Sequence, residues 1–305
     1  MIESAPDIRY LERSEIDTGK WDHCIIQAAN SLIYARSFYL DRMAKTWSAL
    51  IMNDYEFVMP LTWNRKYGIS YLYQPPFAAQ LGLFSKKFPD KNILGAFIGH
   101  AETYFKFCEI HLNFGNLAIP NPLRTNFVLD LGKPYTELRK GFKKRLLENL
   151  QESASNDLQY QVSDDYLNAI RLFKNEYGKR FPHVKNSDYQ RFESLCGDMV
   201  SRKMIFIREV KNIKGELLDV SVFFIDEGRI YNIMSVTLKE GREKRAHFYL
   251  IDRLIAEFSN RHLVLDFEGS EIPGIAEFYR KFGTARQPYP FLKFNHLPYP
   301  VKFLK

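Results

Sequence analysis

Between Arg245 and Phe294 the spacing of apolar residues changes period, and that change fixes a fold class. Phe248, Ile251, Leu254, Ile255 and Phe258 recur every three or four residues, the stripe of an amphipathic helix. Residues 262–268 then read as a strand. Alternation puts Leu263, Leu265 and Phe267 on one face, with Val264, Asp266 and Glu268 on the other. Gly269-Ser270 makes a sharp polar turn, a second helix carries Ile275, Phe278, Tyr279 and Phe282, and Gly283 is placed to end it. A last strand runs to Phe294. Such alternation implies α/β layering, in which ligands gather beyond the carboxyl ends of the strands. Asp266, Glu268, Gly269 and Ser270 occupy such an end, so function is expected there.

The rest of the chain repeats this grammar. Strands are expected at 8–11, at 48–52 and 56–63 around the turn Asn53-Asp54, and at 69–73 before Gln74-Pro75-Pro76. Helices are expected at 21–29, 38–44 and 91–107, and further strands near 109–113 and 126–130. Leu138, Phe142, Leu146 and Leu150 predict one long amphipathic helix over 135–153. A strand at 158–162, a helix at 165–177 and strands at 204–210, 219–226 and 229–236 follow. Lys214-Gly215-Glu216 and Glu227-Gly228 are their hairpin turns. Both halves share an order of elements without a detectable sequence repeat. The expectation is an α/β (α+β) fold of two domains, 1–132 and 133–305, packed side by side around a shared cleft. The Pro-rich tail 295–305 is a candidate to return to the first domain.

Composition narrows the function classes. Cys24, Cys108 and Cys196 are odd in number and lack a Cys-x-x-Cys spacing, which argues against a disulfide framework or a zinc ribbon. The histidines show no metal spacing, and no nucleophilic triad is visible, so no metal is expected. The first residues lack a signal-peptide pattern, and no apolar stretch approaches the ~20 residues that cross a bilayer. A cytoplasmic protein is expected. The net charge of +7 favours anionic partners. The sequence leaves the oligomeric state open.

Several constellations could carry chemistry. Glu268 is a candidate general base for an attacking amine, and Asp266 either positions that amine or braces nearby backbone. Tyr231, Ile233 and Ser235 are expected on one strand face beside Asn232, with the Tyr231 hydroxyl available to a leaving group; a satisfied core tyrosine is the competing reading. Gln74 and Gln80 bracket a rigid Pro75-Pro76-Phe77 turn, either as a polar rim for substrate or as a structural turn. Arg139/Lys143 and Lys140/Lys144 repeat at four residues and, with Arg145, make a basic stripe on the 135–153 helix. That stripe suits a tRNA backbone or a nucleotide anion, or is a solvated face. Arg280 holds a phosphate or pairs with Glu277.

Four segments, in their order and spacing, resemble the FemAB-like acyltransferases, which are tandem GNAT-fold proteins. They are residues 53–63 (Asn-Asp-Tyr-Glu-Phe-Val-Met-Pro-Leu-Thr-Trp), 71–77 with Gln80-Leu81-Gly82, 124–131 (Arg-Thr-Asn-Phe-Val-Leu-Asp-Leu), and 264–270 (Val-Leu-Asp-Phe-Glu-Gly-Ser). The resemblance implies two GNAT-like domains that move an acyl or aminoacyl group from an activated thioester or ester to an amine. That amine belongs to a small molecule or a cell-wall precursor. No permanently bound cofactor is implied; the donor is acyl-CoA, aminoacyl-tRNA or an acyl carrier.

The chain departs from the family's pattern in two ways. It lacks the inserted coiled-coil arm of some members, and it lacks a Gln/Arg-x-x-Gly-x-Gly/Ala loop. Residues 237–245 hold one glycine and many charges, which argues against acetyl-CoA. Two rival readings follow: a non-catalytic binding protein that keeps the fold, and an RNA-binding protein that uses the 139–145 stripe.

Overall fold

The computed structural model describes residues 7–268, 273–299 and 302, so Gly269 and Ser270 lie outside the described residues. The chain forms two compact units, Met1–Arg124 with Pro288–Lys305, and Thr125–Gln287. The break falls between Arg124 and Thr125 rather than at 132, because residues 128–130 already pair within the second sheet.

The first unit contains β1 (Ile8–Glu12), α1 (Thr18–Gln27), α2 (Ser37–Met43), β2 (Thr46–Met52), β3 (Phe57–Lys66), β4 (Ile69–Tyr73), β5 (Phe84–Ser85), α3 (Lys91–Tyr104) and β6 (Phe107–His111). Side chains set the helix starts. Asp17 accepts from the Gly19 and Lys20 amides ahead of α1, and Asp90 does the same for Asn92 and Ile93 ahead of α3. The sheet runs β1-β2-β3-β4-β6 with β4 and β6 parallel and the other pairs antiparallel. Leu50, Met59, Leu61 and Leu72 pack with Phe97 and Ala101 of α3 in its core.

The second unit contains β7 (Leu123–Asp130), α4 (Tyr135–Lys140), α5 (Lys144–Ala154), β8 (Gln159–Ser163), α6 (Tyr166–Tyr177), α7 (Asn186–Ser201), β9 (Ile205–Lys211), β10 (Leu217–Asp226), β11 (Arg229–Thr237), α8 (Lys239–Glu243), α9 (Ala246–Phe258), β12 (Val264–Asp266) and α10 (Pro273–Arg280). Its sheet runs β7-β12-β11-β10-β9-β8, and β11–β12 is its parallel pair. The last strand, β13 (Ala285–Asn295), pairs with β6 over Phe291–Asn295, inside the first unit. Each sheet therefore holds one parallel pair among antiparallel strands, which gives physical form to the shared element order. Among the described residues no helix is long and apolar enough to cross a membrane.

One face of the second sheet packs Phe223, Ile230, Leu265 and Phe267 against Leu146 of α5 and Leu250, Ile251, Leu254 and Ile255 of α9. On the other face Phe192 of α7 meets Phe224, with ring centroids 5.9 Å apart. Helix α7 is an element the sequence reading missed. Its buried Tyr189, Phe192, Leu195, Cys196 and Met199 recur at helical spacing, a signal that was present.

The expected helix over 135–153 is two helices. Lys143 is extended (φ −70°, ψ 147°), and its amide donates to the Lys281 carbonyl at 2.9 Å instead of continuing the ladder. Gly141 lets this happen. It packs against Gly283, whose φ is +73°, and a Cβ on Gly283 would lie 2.9 Å from the Gly141 carbonyl oxygen. The basic residues 139–145 thus do not form a stripe on one helical face.

Candidate active site

The carboxyl end of β12 is built around a buried ion pair. Asp266 accepts from Arg229 Nη1 of β11 at 2.6 Å and from Asn126 Nδ2 of β7 at 2.8 Å. It also accepts the Glu268 backbone N–H at 2.8 Å. Arg229 Nη1 further donates to Gln287 Oε1 at 3.2 Å. Through these bonds Asp266 ties β7, β11 and β12 together. Of its two sequence readings, the structure supplies the brace.

Glu268 leaves the strand. The sequence reading extended the alternation to it, but β12 ends at Asp266, and Glu268 adopts φ +64°, a left-handed conformation rare for a residue with a Cβ. The bond from its amide to Asp266 holds that turn. Although the residue is half-buried overall, its Oε1 is closed off from solvent and has no hydrogen-bond partner among the described residues. Burial pushes its pKa well above the usual carboxylate value. Tyr279 of α10, its ring tilted against Phe267 with centroids 4.8 Å apart, is the neighbouring phenol. Its pKa is raised by burial and by the charges of Glu268 and Asp266.

Strands β11 and β12 part company here. Their parallel register runs Arg229↔Val264, Ile230↔Leu265 and Tyr231↔Asp266, whereas β11 continues to Thr237. Past Tyr231, β11 has no strand partner on its β12 side among the described residues, which leaves a notch at the carboxyl end of the parallel pair. On its other side β11 carries a bulge. Phe223 pairs with Asn232, but Val222 pairs with Met234, so Ile233 is the extra residue.

The bulge overturns one expectation. Ser235 lies on the face of Asn232, not of Tyr231. Ser221 Oγ donates to Ser235 Oγ at 2.9 Å, and Ser235 donates to Asn232 Oδ1 at 2.9 Å. The same offset sets Thr237 opposite Asp219, whose fully buried carboxylate accepts from Thr237 Oγ1 at 2.5 Å and faces His247 Nδ1 at 3.2 Å. Tyr231 is 1% exposed on the opposite face, beside Asp266.

No protein-family model and no curated protein matches the chain. Solved structures do. The structure is similar to that of FemX, with a TM-score of 0.64 at 12% identity over 97% of this chain and 99% of that one. This chain shares the fold of FemX. A conserved protein of unknown function from Bacteroides thetaiotaomicron VPI-5482 is also similar, with a TM-score of 0.57 at 8% identity over 94% of this chain and 100% of that one. The likeness to FemX agrees with the tandem GNAT-type α/β fold expected from the four sequence segments, and at these identities it is a likeness of fold.

Within this FemX-like fold the remaining candidates are spread out. Gln74 and Gln80 belong to the first unit and hold its proline turn. Gln74 Nε2 donates to the Ala78 carbonyl at 2.6 Å while its Oε1 accepts the His111 amide at 2.9 Å; Gln80 Oε1 accepts the Phe114 amide at 3.0 Å. Arg280 lies 3.5 Å from Glu277, an exposed pair. Lys140 pairs with Glu137 and Arg145 with Glu148 at the surface. The lone glycine of the 237–245 segment, Gly241, is buried in α8, where a Cβ would sit 2.1 Å from the Leu218 carbonyl oxygen. It serves helix-to-strand packing. Asn126, Arg229, Asp219, Thr237 and His247 take part in buried polar contacts and were not singled out from the sequence, since each acts through a partner on another strand or helix.

Proposed function

We propose that the chain transfers an acyl or aminoacyl group from a thioester or ester donor to a substrate amine. The observation that carries this reading is the Glu268 carboxyl, whose Oε1 is closed off from solvent without a hydrogen-bond partner among the described residues, at the notch where parallel strands β11 and β12 separate. A carboxyl with a raised pKa is matched to accepting a proton near neutral pH, which an ordinary exposed glutamate does poorly. The amine loses its proton to Glu268 and attacks the donor carbonyl carbon, and the C–O or C–S bond then breaks to release the alcohol or thiol. Backbone N–H groups of β11 beyond Tyr231, where its register with β12 ends, are the proposed donors to the developing oxyanion. The fold shared with FemX supports the reading without naming donor or acceptor. Tyr231 has no role in this scheme, because it is buried on the face opposite Asn232 and Ser235.

The test is release of free thiol from a panel of acyl-CoAs, and deacylation of aminoacyl-tRNA, each with a set of primary amines. Turnover with one donor class is expected. Glu268→Gln is expected to lower kcat by about 10²–10⁴, the usual worth of a general base, while leaving donor affinity unchanged. Absence of turnover with every donor, or a Glu268→Gln variant as active as the parent, overturns it.

A further inference from the structure

A groove of about 860 Å³ in the second unit gathers basic residues from three helices: Arg139 and Lys140 of α4, Lys144 of α5 and Arg253 of α9. The break at Lys143 makes this convergence. With α4 and α5 as separate helices, Arg139 and Lys144 reach one groove, while Lys143 and Arg145 are not among its lining residues. Lys140 is drawn to Glu137 at 2.6 Å, but Arg139, Lys144 and Arg253 make no salt bridge among the described residues. Three exposed cations left facing one concavity repel one another, and an anion relieves that repulsion.

The two acids of the groove, Glu148 and Asp252, are outnumbered by its four cations and offset them only in part. Glu148 is held by Arg145 at 3.1 Å. Asp252, 8% exposed at the groove's edge on α9, accepts from the Tyr135 hydroxyl at 2.6 Å, and burial raises its pKa against the opposing pull of that bond and of the Arg139 and Arg253 charges. Tyr135, Tyr249 and Leu147 give the groove flat and apolar wall, and its volume falls in the range of small-molecule sites. We propose that this groove binds a phosphate-bearing small molecule, with Arg139, Lys144 and Arg253 on the phosphate and the two tyrosines against the rest of the ligand. It shares no residue with the Glu268 site, and it stands or falls on binding alone, whether or not the chain turns over any acyl donor.

The experiment is calorimetric titration of the full chain with inorganic pyrophosphate and, separately, with adenosine 5′-diphosphate. Saturable binding of both is expected, and it should weaken with rising salt. Each of Arg139→Gln, Lys144→Gln and Arg253→Gln is expected to weaken it about tenfold, in line with loss of one charge-assisted contact. These side chains are exposed, so the variants are expected to keep the parent's melting temperature, and Lys91→Gln on α3 of the first unit should bind as the parent does. Tighter binding of the diphosphate ester, lost in Tyr249→Ala, assigns the rings to the organic part. Equal binding of both probes limits recognition to the phosphates, and either result upholds the site. No saturable binding of either probe overturns it. So does binding that the three substitutions leave unchanged, or that Lys91→Gln weakens equally.

Discussion

The backbone N–H of Glu268 donates to Oδ1 of Asp266 at 2.8 Å, and this bond makes a structural carboxylate the support for a candidate catalytic one. Asp266 remains in the strand, ion-paired with Arg229. Glu268, two residues on, is turned into a left-handed conformation with Oε1 closed off from solvent. Two neighbouring carboxylates thus receive opposite environments, and opposite roles follow.

Breaking the support should cost the fold. The Asp266 and Arg229 side chains are 2% and 12% exposed. Asp266→Asn removes the carboxylate charge from a buried ion pair, and a loss of about 3–5 kcal/mol is expected. The shift in urea midpoint at constant m-value measures it. Pairing Asp266→Asn with Arg229→Met should recover a large part of the loss. A single-variant loss below about 1 kcal/mol would mean that the pair is solvated and the brace unimportant.

Glu268 should reveal itself in the pH dependence of stability. Its folded-state pKa lies above that of the unfolded chain, so the folded state favours the neutral form. Below the ordinary glutamate pKa of about 4.3 both states are protonated and the group costs nothing. As pH rises from there, the unfolded state ionises first, and stability is lost up to the folded pKa. Glu268→Gln escapes that loss. Parent and variant should melt alike at low pH, and the variant should be the more stable by about 1–3 kcal/mol at high pH. A difference that is independent of pH, or that grows on acidification, sinks the assignment.

Glycines separate packing from propensity. Gly283→Ala combines positive φ with a Cβ 2.9 Å from the Gly141 carbonyl oxygen, and should destabilise by about 1–3 kcal/mol. Gly95→Ala and Gly99→Ala lie in α3 with nothing within 4 Å of the added Cβ, and each should stabilise by about 0.5–1 kcal/mol. Thermal unfolding of the three variants side by side gives the answer. If Gly283→Ala matches the parent, the close approach of the two backbones is not tight.

The α/β class, the hairpin at Glu227-Gly228 and the succession of strands and helices along much of the chain were legible because apolar period and turn chemistry are local. The strand at 69–73 was read to the residue. The break in the 135–153 helix was not, since Leu138, Phe142, Leu146 and Leu150 keep helical spacing across it, and what stops the helix is a carbonyl at Lys281. Glu268 was singled out in the sequence from its place near a strand end. Its isolation was not foreseeable, because it depends on a left-handed turn held by a side chain that alternation placed next to it on the same face. The bulge at Ile233 is the deepest miss. One extra residue leaves composition untouched, yet it moves Ser235 to the other face and decides which side chains meet across β10 and β11.

That bulge yields the last prediction. Without it the hairpin would set Val236, not Thr237, opposite Asp219. Asp219 is fully buried, and the Thr237 hydroxyl at 2.5 Å is one of its polar contacts, with His247 Nδ1 at 3.2 Å. Thr237→Val keeps the shape of the side chain and removes only the donor, so the carboxylate stays buried with less to stabilise it. A loss of about 1–3 kcal/mol is expected. Thr237→Ser retains the hydroxyl and should lose less than Thr237→Val. The comparison discriminates hydrogen bonding from packing, because serine sacrifices a methyl and valine sacrifices the oxygen. If valine is as stable as threonine while serine is worse, the methyl group matters more than the bond, and the polar contact attributed to the bulge has no energetic role.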